Sequence, residues 1–345
     1  MTFAQALLWP FSLLYNAGAR LRVASYRASI LRQQHLNGIV ISVGNLTVGG
    51  TGKTPFVVWL AERFAQTGKM TAVLCRGYRP LPQRSRASEA PEIAEGWNDE
   101  TLLLRSRLDK RVRFGVGARR FDQGRELERL GVECFILDDG FQHLQLARDV
   151  DIVLVDATNP FGGGRLLPAG RLREPISALR RADVVVVTRS EQAPATEAVI
   201  QRYTSAPIYC ARTELLGIEA YCEPADPARR ETPAGKKCFA FCGIGNPPAF
   251  FDDLKKWGIH LAGHATFRDH HLYTERDVSE LEARAIAADA DALLCTEKDI
   301  YDLTPLRTAR FPVFFCKIAL RFNNEEALWQ TILDKIERQR LGPSR

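Results

Sequence analysis

No aspartate or glutamate occurs before Glu62, although the chain runs to 345 residues. Arg20, Arg22, Arg27, Arg32 and Lys53 stand unopposed there, and they account for five units of the formal net charge of +6. The remainder is close to neutral, so basicity belongs to one end of the molecule. A long apolar run is also missing. Residues 1–15 carry Phe3, Leu7, Leu8, Trp9, Phe11, Leu13, Leu14 and Tyr15, but Pro10 interrupts them. The stretch is too short to cross a bilayer, and it lacks the basic start and small-residue cleavage site of a secretory leader. The eight cysteines show no CxxC spacing. Cys134, Cys238, Cys295 and Cys316 sit inside apolar runs, so a disulfide framework and a zinc ribbon give way to buried thiols in a reducing compartment. Internal repeats, low-complexity tracts and nucleic-acid motifs are absent, which argues against a nucleic-acid partner for the basic end.

An apolar helix followed by an arginine-bearing helix, free of acids, reads as an interfacial anchor facing anionic lipid. A helix packed on the core is the competing reading. The length calls for two α/β lobes rather than one core, and apolar and charged contents of 46% and 26% are ordinary globular values.

The chain is organised around Val43-Gly44-Asn45-Leu46-Thr47-Val48-Gly49-Gly50-Thr51-Gly52-Lys53-Thr54-Pro55. An apolar run at 38–43 reads as a buried strand, and residues 56–65 have helical spacing. Strand, glycine-rich loop, Lys-Thr and helix form the context of a phosphate-binding loop. Residues 47–54 (Thr47, Val48, Gly49, Gly50, Thr51, Gly52, Lys53, Thr54) would cradle a nucleoside triphosphate with backbone N–H groups and a helix dipole. Lys53 would reach the β- and γ-phosphates and the Thr54 hydroxyl would ligate Mg²⁺. The usual pattern opens on glycine; here that place is Thr47.

Strands and helices alternate beyond the loop. Strands are expected at 71–75, 112–116, 134–137, 151–155 and 183–188, with helices at 99–108 and 118–130 and a surface loop at 80–97. The strand ending at 137 runs into Asp138-Asp139-Gly140-Phe141-Gln142-His143. An apolar strand closed by acid is how a Walker-B carboxylate reaches Mg²⁺. Residues 161–175, rich in Gly and Arg and too long for a connector, form a candidate phosphate- or substrate-gripping segment, with an exposed linker as the alternative. Residues 206–221 look extended, and 224–235 is the candidate boundary. A second α/β unit follows, with strands at 238–242, 292–295 and 313–318 and helices at 249–257 and 274–288. Within it, Asp269-His270-His271 lacks a third ligand at metal spacing. Thr296-Glu297-Lys298-Asp299 reads as a capped helix start.

In combination, GNLTVGGTGKTP, RGY, a DE pair, DDGFQH, LLPAGRLREP, DHH and TEKD resemble the tetraacyldisaccharide 4'-kinase family, from the first helix to about residue 320. The resemblance implies a P-loop NTPase-type, mostly parallel sheet with helices on both faces, a smaller second α/β lobe and a membrane-associating N-terminal helix. The corresponding partition is 1–34, 35–222, 223–320 and a C-terminal helix at 321–345. It implies transfer of the ATP γ-phosphoryl group to the 4'-hydroxyl of a membrane-embedded tetraacyldisaccharide 1-phosphate in lipid A synthesis, with Mg²⁺, at the cytoplasmic face of the bacterial inner membrane.

Residue by residue, the resemblance makes Asp99 the base and His270 its assistant, with Lys53 and Asp139 catalytic. Thr54, Asp138 and Asp139 become the metal ligands. Asn45, Gln142, His143, Arg173 and Glu174 fall on substrate-binding positions. The family's Gly-Asp-Glu-Pro reads Asn98-Asp99-Glu100-Thr101 here, Arg79 follows the RGY, and Arg171 stands where a proline is usual. With Asp99 assigned to the first lobe and His270 to the second, the dyad is expected to form only on lobe closure. A membrane-associated P-loop ATPase switch and a soluble small-metabolite kinase are the alternatives. The first typically needs a lysine where Val48 stands, and the apolar N-terminus speaks against the second.

Overall fold

Strand β1 (Ile39–Asn45) is buried along nearly its whole length with no polar alternation, the signature of a central strand covered on both faces. The computed structural model describes residues 3–77, 97–108, 110–221, 235–303 and 310–341. Tyr78, Arg79, nearly all of the expected loop at 80–97 and nearly all of the boundary at 224–235 lie outside the described residues. The chain divides into two compact units, Met1–Arg76 with Arg107–Arg212 and Leu320–Arg345, and Gly77–Ser106 with Thr213–Ala319.

In the first unit, β1 is joined by β2 (Thr71–Cys75), β3 (Val112–Val116), β4 (Cys134–Asp138), β5 (Val150–Asp156), β6 (Val184–Thr188) and, through Arg212, the start of β7 (Ile208–Ala220), whose remainder belongs to the second unit. Their order is β3-β2-β4-β1-β5-β6-β7, and all pairings are parallel. Strand periodicity sends alternate side chains to opposite faces. Val40, Ala72, Leu74, Phe135 and Leu137 form one core with Phe121 and Leu127, which belong to a helix following β3. Helix α1 (Phe3–Arg27) precedes the sheet, and α2 (Lys53–Gln66) lies against β1, β2 and β4 through Phe56, Leu60 and Phe64. Pro10 lies inside α1. The two-helix reading of the N-terminus is therefore corrected: losing one backbone bond near the helix start does not break it.

Helix α3 (Asp99–Arg107) belongs through Ser106 to the second unit, whereas α4 (Arg120–Arg129) and α5 (Thr196–Ile200) belong to the first. The second unit's strands β8 (Cys238–Cys242), β9 (Leu261–Thr266), β10 (Ala292–Thr296) and β11 (Val313–Phe322) run in the order β11-β10-β8-β9, again parallel. Cys238, Ala240 and Cys242 pack with Phe250, Phe251 and Leu254 of α6 (Pro247–Lys256). Phe239 and Phe241 face the other way, toward Val278, Leu281 and Ala285 of α7 (Glu275–Ala287) and Ile300 and Leu303 of α8 (Glu297–Leu303).

The last helix, α9 (Glu325–Leu341), returns to the first unit. Trp59 Nε1 of α2 donates to Glu325 at 2.9 Å, and Phe64 and Trp329 meet edge-to-face at 4.8 Å. Grouping 77–106 with the second unit and α9 with the first departs from the four-part linear partition. Both excursions are driven by packing, which sequence order does not encode. Among the described residues, no helix is long and apolar enough to cross a membrane.

Candidate active site

The loop between β1 and α2 is held by side chains that precede and follow it. Asn45 Nδ2 donates to the Gly49 carbonyl at 3.3 Å and to Thr51 Oγ1 at 3.0 Å. Thr188 Oγ1, at the end of β6, donates to the Thr51 carbonyl at 3.1 Å. Gly52 has φ +80°, a left-handed turn that admits glycine readily and turns the chain into α2. The first residues of α2, Lys53 and Thr54, therefore stand where backbone N–H groups are unpaired and the dipole is positive.

The Asp138-Asp139 turn meets this loop from β4. A Cβ on Gly44 would lie 2.6 Å from Phe141 Cβ, so glycine there lets the turn close onto β1. Lys53 Nζ lies 3.7 Å from Asp139 Oδ1, and Arg173 donates to Asp139 Oδ2 at 2.6 Å. Burial opposes ionisation of Asp139, but the Lys53, Arg173 and Arg120 cations outweigh it and hold the carboxyl well below the usual range. Arg120, buried, donates to the carbonyls of Asp138 at 2.6 Å and Asp139 at 3.3 Å. Arg120→Met strands both carbonyls and is expected to lower unfolding stability by about 2–3 kcal/mol, read as a fall in the urea midpoint at unchanged slope.

The Gly- and Arg-rich segment is an extension of the phosphate loop rather than a linker. Val48 N donates to the Arg171 carbonyl at 2.8 Å, Arg173 N to the Leu46 carbonyl at 2.7 Å, and Arg171 Nη2 to the Val48 carbonyl at 2.8 Å. Thr47 and Leu172 form an antiparallel bridge. Ser12 of α1 is buried against the same segment, donating to the Leu166 carbonyl and accepting from Ala169 N, each at 3.1 Å. Glu174 is turned inward: Arg181 grips it at 2.6 and 3.0 Å and stacks over Phe141 at 4.4 Å. Gln142 Nε2 donates to the Asn45 carbonyl at 3.0 Å. His143 is half-buried, and burial with the Arg120 and Arg148 charges pushes its imidazole down to about 4. Three buried oxygens around this turn, Asn45 Oδ1, Asp139 Oδ1 and Gln142 Oε1, have no hydrogen-bond partner. Buried acceptors left open in one neighbourhood mark a place where a ligand completes the bonding.

A second constellation lies wholly within the second unit. Asp99 is buried at the start of α3, and His270 Nδ1 lies 3.1 Å from its Oδ2. The dyad thus forms inside one unit, so the expectation that it awaits lobe closure is corrected; the segment carrying Asp99 packs with the second unit. Burial opposes ionisation of Asp99, yet the His270 hydrogen bond and the Lys298 charge together draw its carboxyl below the ordinary value. The bond to Asp99 raises the His270 pKa against burial and Lys298. The departure at 98–101 has a local account. Asn98 Oδ1 accepts from Thr101 N at 3.0 Å and Thr101 Oγ1 at 2.6 Å, capping α3. A proline at 101 would bring no N–H to this cap.

The two adjacent imidazoles have different partners. His270 adopts φ +56° and its N donates to the Gly243 carbonyl at 3.2 Å. His271 Nε2 meets Asp277 at 3.2 Å and stacks on Phe267. The 296–299 turn is the capped helix start expected of it: Thr296 Oγ1 and Asp299 Oδ2 bond at 2.5 Å. It does more than cap. Asp299 Oδ1 also accepts from Gly243 N at 2.7 Å and Tyr273 Oη at 2.8 Å, so the turn that receives His270 is pinned to α8. The sequence alone does not single out Lys298 and Asp299 as site residues. Their signal, an acid-base-acid run at a strand's carboxyl end, is common to plain helix caps.

A family model described as "Tetraacyldisaccharide-1-P 4'-kinase" matches residues 4–337. The chain is similar to the tetraacyldisaccharide 4'-kinase of Geobacter metallireducens, 39% identical over 96% of this chain and 98% of that one. It is also similar to that of Koribacter versatilis, 36% identical over 96% and 99%. The solved structure of LpxK from Aquifex aeolicus in complex with ATP superposes with a TM-score of 0.71 at 30% identity, covering 97% of this chain and 100% of that chain.

Proposed function

Since the chain belongs to the tetraacyldisaccharide-1-P 4'-kinase family, we propose that it transfers the γ-phosphoryl group of ATP to the 4'-hydroxyl of a tetraacyldisaccharide 1-phosphate, a step of lipid A synthesis. The observation that carries the reading beyond nucleotide binding is the Asp99–His270 hydrogen bond. A phosphate loop alone serves a switch ATPase equally well, whereas a buried carboxylate oriented by an imidazole supplies what a hydroxyl acceptor needs.

In this reading residues 47–54 hold the triphosphate, with Lys53 on the β- and γ-oxygens and Arg173 beside it. Asn45, Gln142 and His143 contact the acceptor sugar, and Glu174 orders the segment carrying Arg173 through its grip on Arg181. Mg²⁺ fits the groups present. Asp139 Oδ1 is a buried oxygen without a hydrogen-bond partner, and this ion takes one or two carboxylates with phosphate and water rather than a full protein cage. Asp139, Asp138 and the Thr54 hydroxyl would hold it, where it would neutralise charge on the phosphates. Asp99 accepts the hydroxyl proton. A weak base suffices because that proton leaves late in a loose phosphoryl-transfer transition state, so orientation matters more than basicity.

Helix α1 supports an approach to the bilayer that holds the acyl chains, at its cytoplasmic face. Leu7 and Leu14 are 68% and 72% exposed, Trp9 and Phe11 are exposed between them, and Arg20, Arg22 and Arg27 follow without an acid. Burying one such leucine in lipid is worth about 1.5–3 kcal/mol. The Leu7→Asp, Leu14→Asp double variant is therefore expected to lose most sedimentation with anionic vesicles. Transfer to a short-chain, micelle-free acceptor should be retained.

Labelled γ-phosphate tests the main reading, with ATP and the tetraacylated acceptor in detergent micelles. Incorporation at the 4'-position is expected; ATP bound without transfer to this acceptor would return the switch reading to the front.

A further inference from the structure

Lys298, on the first turn of α8, reaches four acceptors from two other stretches of the same unit. Its Nζ lies 3.2 Å from Asp269 Oδ1, 3.3 Å from His270 Nε2, and 3.5 Å from both Asp99 Oδ2 and Glu100 Oε1. Its side chain is only 16% exposed. Burial alone would discharge such an amine, but the carboxylates of Glu100, Asp99 and Asp269 outweigh it and keep it an ammonium. An ammonium has three hydrogens to give and no lone pair to receive one.

That asymmetry constrains the imidazole. In the neutral ring, His270 Nε2 facing Lys298 offers its lone pair, and the ring proton on Nδ1 points at Asp99 Oδ2. An imidazolium would set N–H against N–H and place two positive charges side by side. We propose that Lys298 is a positioning residue for the Asp99–His270 pair, restraining the imidazole from charging, turning its Nδ1 proton toward Asp99 and keeping Asp99 ionised to accept the hydroxyl proton. The proposal rests on the reading of Asp99 as the base.

Every charged neighbour enters the balance. Asp99 and Glu100 face the imidazole from α3, Asp269 from its own turn, and Lys298 from α8. The Asp99 bond, with the Asp99 and Glu100 charges, favours the imidazolium and raises the His270 pKa, while burial and Lys298 oppose it. Asp299 is committed to Thr296, Tyr273 and Gly243. Asp302, pushed up to about 7 by burial and then by the Asp99 charge, is only partly ionised at neutral pH and adds little negative charge below it. Lys298→Met thus removes the group that restrains His270 from charging and one that lowers Asp99.

The test compares Lys298→Met, Lys298→Gln and Lys298→Arg in the full chain. For the two neutral variants kcat should fall by about tenfold or more with KM for ATP little changed. The acid limb of the kcat profile should move up by about one pH unit. The ¹⁵N resonances of His270, assigned against His270→Gln, should show the imidazolium persisting to higher pH in the neutral variants than in the parent. Lys298→Arg keeps the charge and should keep the limb and the parent's ring titration. A neutral variant with the parent's acid limb and ring pattern overturns the proposal, even if kcat falls, because the role is then structural. If Lys298→Met does not fold, the Gln and Arg pair carries the same comparison. Asp99→Asn, measured alongside, separates the two readings. Full turnover in it removes the base, while the ring pattern in the Lys298 variants still decides what Lys298 does.

Discussion

Replacing Asp99 by Asn lowers kcat by about 10³-fold while leaving ATP affinity within a few-fold of the parent. Asn keeps the shape of the carboxylate and can still bond His270, so the loss isolates the proton-accepting charge. The variant should fold, because Lys298 keeps Glu100 and Asp269 as partners. The residues proposed to hold the nucleotide are in the other unit, which is why affinity is the control. Asp99 is held below its ordinary carboxyl value, the His270 bond and the Lys298 charge overcoming burial. A folded-state pKa that is depressed gives stabilisation present above the unfolded value, near 4, and lost as pH falls through the folded one. Activity should follow the same sense, flat through neutrality with its acid limb at or below the ordinary carboxylate range. A limb near 6, or a parental kcat in Asp99→Asn, would remove Asp99 from the chemistry.

How much of this was legible in the sequence depended on whether each feature was local. β2 at Thr71–Cys75 and β8 at Cys238–Cys242 begin and end where apolar runs do, because buried parallel strands are continuous in sequence. β9, Leu261–Thr266, was missed. It is an edge strand with Gly263 inside, an irregular register beside Cys238/Phe239 and only Ala265 buried, so it has neither the composition nor the alternation of a strand. The phosphate loop was readable because its glycines and Lys-Thr are contiguous. The function of residues 161–175 was not, since their backbone pairing to Leu46 and Val48 spans more than a hundred residues. The same holds for Asp99 with His270, separated by 171 positions. The motif order pointed to both residues, but only packing showed that they share a unit and that Lys298 completes their surroundings.

Lys53→Ala should have the largest effect of all, a loss of transfer of about 10³-fold or more. Lys53 Nζ lies 3.7 Å from Asp139 Oδ1, a distance that holds the ammonium near the carboxylate without saturating its three donors. Those donors remain for the β- and γ-oxygens, where negative charge shifts during transfer. Removing them costs stabilisation that backbone N–H groups cannot replace, because the N–H groups are fixed and uncharged. A second consequence falls on Asp139. It keeps Arg173 at 2.6 Å but loses the first of the cations that hold its carboxyl down, so its acid titration should move upward. Lys53→Arg is not expected to rescue, since a planar guanidinium cannot take the place of a compact ammonium inside the loop. The fold should persist in Lys53→Ala, because alanine suits the first turn of α2 and the core residues Phe56, Leu60 and Phe64 are untouched. Calorimetric ATP binding beside labelled transfer resolves the contributions: affinity reduced about tenfold, with transfer reduced far more, is the pattern of a group that acts mainly in the transition state. Transfer within tenfold of the parent would mean that the loop's backbone does the phosphate chemistry alone.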